Sequence, residues 1–184
     1  MNLLSANNKY PVDPCVKEHA EDCWGCKDNR VLLKYSQPRS ATLPANSPAN
    51  STVTLTTLNL FTKCICDPTI KLDFSTNIII PAIASGTGAP TPGPLPLSLQ
   101  VYRLTDGPVE KIPVDGAWTF TPITRTDGAQ AFIISFSVFD TDLCLDHHVY
   151  SVELTTTTAL PGIAIYANHS TLSALVVGEP ARRR

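Results

Sequence analysis

From Arg30 onward, apolar and polar residues alternate with a period of two, and clusters of Gly, Pro, Asp and Ser interrupt the alternation. That pattern is the mark of half-buried strands joined by turns. It predicts strands over 31–35, 52–60, 69–80, 97–104, 117–121, 131–139, 148–156, 163–166 and 171–177. Within 52–60 (TVTLTTLNL), Val53, Leu55, Leu58 and Leu60 are expected inward, with threonines on the other face. The strand over 69–80 ends in the apolar run Ile78-Ile79-Ile80 and stops at Pro81. Thr, Val and Ile dominate throughout because β-branched side chains fit a pleated surface and lose little further χ1 freedom there.

Two segments break the pattern. Residues 82–96 carry Pro90, Pro92, Pro94 and Pro96, and residues 37–49 carry Pro38, Pro44 and Pro48. Proline cannot donate a ladder hydrogen bond, so both are expected as exposed loops. Helical patterning is confined to 16–24, where Asp13 can cap a turn or two, and the apolar stripe is too thin to face a core. The fold class that follows is all-β: a single jelly-roll-like β-sandwich of about eight or nine strands over 30–178. An extended, cysteine-bearing arm (1–29) precedes it, and a tail (179–184) closing in Arg182-Arg183-Arg184 follows.

Charge narrows the partners. The net charge is −2 and charged residues make up 16% of the chain, against roughly 25% in an average soluble domain. Such a surface offers little counterion release to a nucleic acid and little repulsion between copies. Met1 to Tyr10 lacks a basic start and an apolar run of about 7–15 residues, so no secretory signal is expected. No stretch approaches about 18 apolar residues, so no membrane insertion is expected either.

Candidate chemistry sits in the cysteines. Cys15, Cys23 and Cys26 lie in the arm, and Cys64, Cys66 and Cys144 lie among the strands. In an extended segment Cys64 and Cys66 point to opposite faces, so each wants a different partner. All six are candidates for disulfide cross-links within or between chains, and sequence does not select a pairing. A rival reading takes Cys15, His19, Cys23 and Cys26 as a Cys3His zinc set. A redox use of Cys23-Trp-Gly-Cys26 lacks the surrounding βαβ unit. No other cofactor is indicated.

Enzyme chemistry has little to stand on. His147 and His148 follow Cys144, but neighbours on a strand point to opposite faces and do not serve one site, which leaves a solvated loop pair. Asp140, Asp142 and Asp146 can offer oxygens to a hard cation, in a spacing that matches no known loop signature. Neither paired carboxylates around a cleft nor a phosphate-cradling Gly loop is present. The chain is expected to be no enzyme.

Several strand-like words add a resemblance: 71–81 (KLDFSTNIIIP), 99–104 (LQVYRL), Trp118-Thr-Phe120, 136–140 (FSVFD), 150–154 (YSVEL) and 167–174 (ANHSTLSA). Over 31–177 the chain resembles an uncharacterised β-sandwich domain family of spore-forming clostridia and their relatives. By further analogy it is similar to endospore-appendage subunits, which form self-assembling filaments. The resemblance implies no active site, and an N-terminal connector that reaches other subunits and locks the fibre with disulfides.

The residues are compatible with that reading. Open sheet edges pair with extended segments, and an arm of about 28 residues can reach about 90 Å when extended. The expected function is a structural, self-assembling subunit of an extracellular or spore-surface filament. It is joined by strand-edge pairing and arm insertion and stabilised by disulfides. Its partners are copies of itself, with a spore-coat or cell-surface anchor protein as a further one. The alternative is a closed-oligomer jelly-roll coat, capsid or surface-binding module, with the zinc site in its arm.

Overall fold

The computed structural model describes residues 31–62, 65–87, 90–104, 110–141 and 147–179. Among them run β1 (Val31–Tyr35), β2 (Arg39–Leu43), β3 (Thr52–Phe61), β4 (Cys66–Ile80), β5 (Leu97–Leu104), β6 (Lys111–Phe120), β7 (Gln130–Asp140), β8 (His147–Thr156) and β9 (Ile165–Glu179). One sheet has the order β1-β9-β4-β7, with β2 also on β9, and the other has β3-β8-β5-β6. Every pairing between these strands is antiparallel. First strand pairs with last, β3 with β8, β4 with β7, and β5 with β6. The chain is thus one long hairpin rolled over on itself, a jelly roll. The expected fold class is the observed one.

The core lies between the sheets and follows the alternation. Leu97, Leu99 and Val101 of β5, Tyr150, Val152 and Leu154 of β8, and Ile70, Leu72 and Phe74 of β4 all point inward and are buried. In β3 the inward set changes parity, from Leu55 to Leu58 and Leu60. A bulge makes the change: Thr54 pairs with Glu153 and Thr56 with Val152, leaving Leu55 as the extra residue. Leu55 and Thr56 are therefore both buried, and Val53 is only half-buried. Thr56 donates to the Ser36 hydroxyl at 2.9 Å, which in turn accepts the Leu172 N–H at 2.9 Å.

Apart from shifts of one to three residues at strand ends, the structure differs from expectation in four segments. Segment 37–49 contains β2, whose Leu43 is 2% exposed. Ser36 bonds to Leu172 and Pro38 interrupts the ladder, so one edge splits into two short strands along β9. Segments 163–166 and 171–177 are parts of one strand, β9, which absorbs a bulge opposite Thr76. His169 takes up the bulge at φ 53, a left-handed conformation that reads in sequence as a turn. β6 begins at Lys111, well ahead of 117, because Asp115 (φ 64) and Gly116 bulge the strand without ending it. Segment 82–96 has no strand, yet it is not wholly exposed: Ile83 and Leu95 are buried and Pro94 bridges Ile123.

Candidate functional site

The registers bring Val31, Cys66 and the strand ends that flank Cys64 and Cys144 to one end of the sandwich. Val31 pairs with Val177, and Cys66 pairs with Glu179. Phe61 pairs with His147, and Ile70 with Asp140. The arm therefore joins the domain at the same end as the β3–β4 connection, which carries Cys64, and the β7–β8 connection, which carries Cys144. Cys66 is the first residue of β4. Cys15, His19, Cys23, Cys26, Cys64 and Cys144 themselves lie outside the described residues, as do Asp142 and Asp146. The zinc and disulfide expectations accordingly rest on sequence.

A polar clasp closes the core at this end. Arg103 continues the inward parity of Leu97, Leu99 and Val101, and Asp140 continues that of Phe136 and Val138. The Arg103 guanidinium donates to both carboxylate oxygens of Asp140 at 2.8 Å. The Tyr150 hydroxyl donates to the same carboxylate at 2.8 Å. Burial pushes the Tyr150 phenol well above its ordinary range, and the Asp140 charge and hydrogen bond push it the same way. Asp140 belongs to one sheet and its two partners to the other, so the clasp ties the layers together.

That geometry corrects two expectations. Asp140 turns inward to Arg103 and Tyr150, so its carboxylate is not offered to a surface cation. Among the described residues, no three His, Cys, Asp or Glu side chains gather as a metal site. His147 and His148 are not a solvated loop pair, since both belong to β8. His148 is buried beside Tyr150, with ring centroids 6.3 Å apart, while His147 stacks on Phe61 at 4.5 Å. They do point to opposite faces. Arg103 and Tyr150 carry no catalytic motif, but two opposite charges, Arg103 and Asp140, at inward parity near the ends of their strands are a signal in the sequence.

The second feature is an open edge. Among the described residues, β7 ends the hydrogen-bonded order of its sheet and pairs on one side only, with β4. Along its eleven residues, QAFIISFSVFD, the one charge is Asp140, which is spent inward. Ile133 is 85% exposed, Phe139 is 60% exposed, and the inward-facing Phe132 and Ile134 are only half-buried. The other edges are guarded. β6 carries Lys111, Pro113 and the Asp115–Gly116 bulge, β3 is bulged at Leu55, and β1 is five residues long. Short strands, prolines, charges and bulges all blunt pairing with another chain. β7 is eleven residues long, has neither proline nor bulge, and carries its one charge, Asp140, at its last position.

Comparison with known proteins places the sequence in a family and the fold at a distance. A family model described as a domain of unknown function (DUF4489) matches residues 29–177. No curated protein matches the sequence. Among solved structures, the CBM22-1 xylan-binding domain of Xyn10C from Paenibacillus barcinonensis is 12% identical with a TM-score of 0.35, over 83% of this chain and 86% of that one. The infectious bursal disease virus Gx strain structure is 15% identical with a TM-score of 0.27, over 83% of this chain and 40% of that one. A family 16 carbohydrate-binding module is 15% identical with a TM-score of 0.26, over 71% of this chain and 73% of that one. Likenesses so distant say nothing of what this chain binds.

Proposed function

The chain belongs to the DUF4489 family of domains of unknown function, and for this member we propose a structural role. It is a self-assembling subunit of an extracellular or spore-surface filament. Copies join by strand pairing along β7 and by insertion of the N-terminal arm, and disulfides then lock the contact.

The observation that carries this reading is the β7 edge: eleven residues long, free of proline and bulge, and presenting Ile133 and Phe139 outward, 85% and 60% exposed. Its unpaired N–H and C=O groups are a template for a further extended segment. A strand edge on one copy that meets a different segment on the next is a heterologous contact, which propagates into open filaments unless its rotation closes. The cysteine-bearing end supplies the lock. Val31 lies at the same end as Phe61, Cys66, Asp140 and His147, the strand ends that flank Cys64 and Cys144, and a neighbour's arm is taken to arrive there.

Negative-stain microscopy of the full chain at neutral pH tests assembly, and gels run with and without reductant test the lock. Fibres that migrate as a ladder without reductant and as monomer with it are expected. Discrete closed particles would replace the filament with the coat-like oligomer. Monomer bands without reductant would remove the covalent lock.

A further inference from the structure

We infer that an apolar strip on the outer face of β1 and β9 is the seat of the stretch of this chain just ahead of Val31, residues 24–30, with Trp24 as the anchor. The strip is built by register. Val31 lies opposite Val177, Leu33 opposite Leu175 and Tyr35 opposite Ser173. The alternate residues Leu32, Ala174 and Val176 face the core. Val31, Leu33, Tyr35, Leu175 and Val177 thus form one outward row pair and are 37% to 67% exposed. On the next strand the row meets Thr69, Lys71 and Asp73, and the Lys71–Asp73 ion pair at 2.8 Å gives the strip a polar border.

Size selects the occupant. Two strands wide and five residues long, the strip measures about 10 Å by 17 Å. That is far below the roughly 800 Å² per partner of a stable protein–protein interface, but it fits a single extended segment. Position selects which segment. Thirty residues of this chain precede Val31, which is both the start of β1 and one corner of the strip. A tether that short gives an effective concentration on the order of millimolar, well above that of any second copy in dilute solution. Trp24 is the largest apolar side chain in that segment and stands seven positions before Val31. Seven residues span about 23 Å when extended, enough to run back along the whole strip. A large aromatic buries the most apolar area per residue ordered.

This inference goes beyond the filament reading and does not depend on it, because β7 lies at the opposite end of the sheet order. Seating Trp24 fixes the base of the arm and leaves the residues ahead of it, Cys15 included, to reach a neighbour.

The test uses the full chain carrying Trp118→Phe, in dilute solution with reductant, so that Trp24 is the one emitter and no disulfide holds the arm. Trp24 emission is expected to lie to the blue of its position in the denatured chain, and to move red in Leu33→Asp and in Leu175→Asp. Emission at the denatured position in the folded chain, or a blue shift that neither variant moves, overturns the inference. A photo-crosslinking phenylalanine analogue at position 33 gives a second readout in the otherwise native chain. Cross-links within one copy to the peptide containing Trp24 support the seat. Cross-links confined to residues 31–179 or to a second copy overturn it. Loss of filaments without change in either readout would fault the assembly reading alone.

Discussion

Arg103 and Asp140 meet across the two sheets, with one guanidinium nitrogen 2.8 Å from each carboxylate oxygen and their side chains 22% and 11% exposed. Removing one partner of such a pair strands the other in a poorly solvated place, whereas replacing both with apolar residues leaves no orphan. Asp140→Leu is therefore expected to cost about 3 kcal/mol, somewhat less than a fully buried pair because Arg103 keeps some contact with solvent. The Arg103→Met, Asp140→Leu double variant should lose less than the sum of the singles, with a coupling of about 1–3 kcal/mol. Urea unfolding of the four chains measures this cycle. Coupling near zero would show that the clasp merely decorates the end of the core.

Tyr150 makes the same clasp sensitive to alkali. Its phenol is raised above the ordinary value of 10.0, first by burial and then by the adjacent Asp140 carboxylate. The folded chain therefore keeps this proton at pH values where the unfolded chain has lost it. Stability from this group is complete below about pH 10 and falls as pH rises beyond it, because the folded state then binds more protons than the unfolded one. Tyr150→Phe removes one hydrogen bond to a charged acceptor and should cost about 1–2 kcal/mol at neutral pH. That cost is expected to shrink between pH 10 and 12, since the phenylalanine chain has no such proton to lose. Parallel denaturation curves with a constant gap over that range would contradict it.

The fold was largely legible in the sequence, and each exception has a local cause. Alternation fails as a guide wherever a bulge changes parity. It does so at Leu55, where two adjacent residues turn inward, and at Asp115–Gly116, a bulge just ahead of the strand expected over 117–121. Prolines at 38, 44 and 48 concealed β2, a five-residue strand paired with β9. The site was harder to read. The cysteines could be counted, but that Val31, Phe61, Cys66, Asp140 and His147 lie at one end depends on which strands pair, and that is a property of the rolled hairpin. His148 was misplaced because a histidine at a strand start counts as surface until Tyr150 and the clasp close over it.

His169 is the residue on which the continuity of β9 rests. At φ 53 it occupies the left-handed region, next to the Thr76–Ser170 hydroxyl contact of 2.8 Å. Glycine enters that region without a Cβ penalty, while a non-glycine residue is held there at a cost of about 1–2 kcal/mol. His169→Gly is expected to be neutral or stabilising by up to about 1 kcal/mol, after the entropy of the unfolded chain is set against the relieved strain. His169→Val, β-branched and stiff at χ1, should destabilise by about 1–2 kcal/mol. Thermal melts rank the three chains. A valine variant as stable as the parent would mean that the bulge relocates.

Ile133 separates assembly from folding. It sits outward on β7 and is 85% exposed, so the isolated domain gains little from it. Ile133→Lys should leave stability within about 0.5 kcal/mol of the parent. The same change puts an outward charge on an edge whose one other charge, Asp140, is turned inward, and a charge on the edge is a device by which natural sheets refuse a neighbouring strand. Loss of fibres in negative stain and a shift to monomer in sedimentation are therefore expected, with an unchanged unfolding midpoint. Ile133→Thr, which keeps the β-branched shape and adds no charge, should retain assembly. The contrast matters because edge pairing and hydrophobic stickiness make different demands. If Thr abolishes fibres as fully as Lys does, the contact is made by the isoleucine side chain rather than by the strand edge. If neither change affects them, copies join through a different surface, and β7 is not the assembly edge.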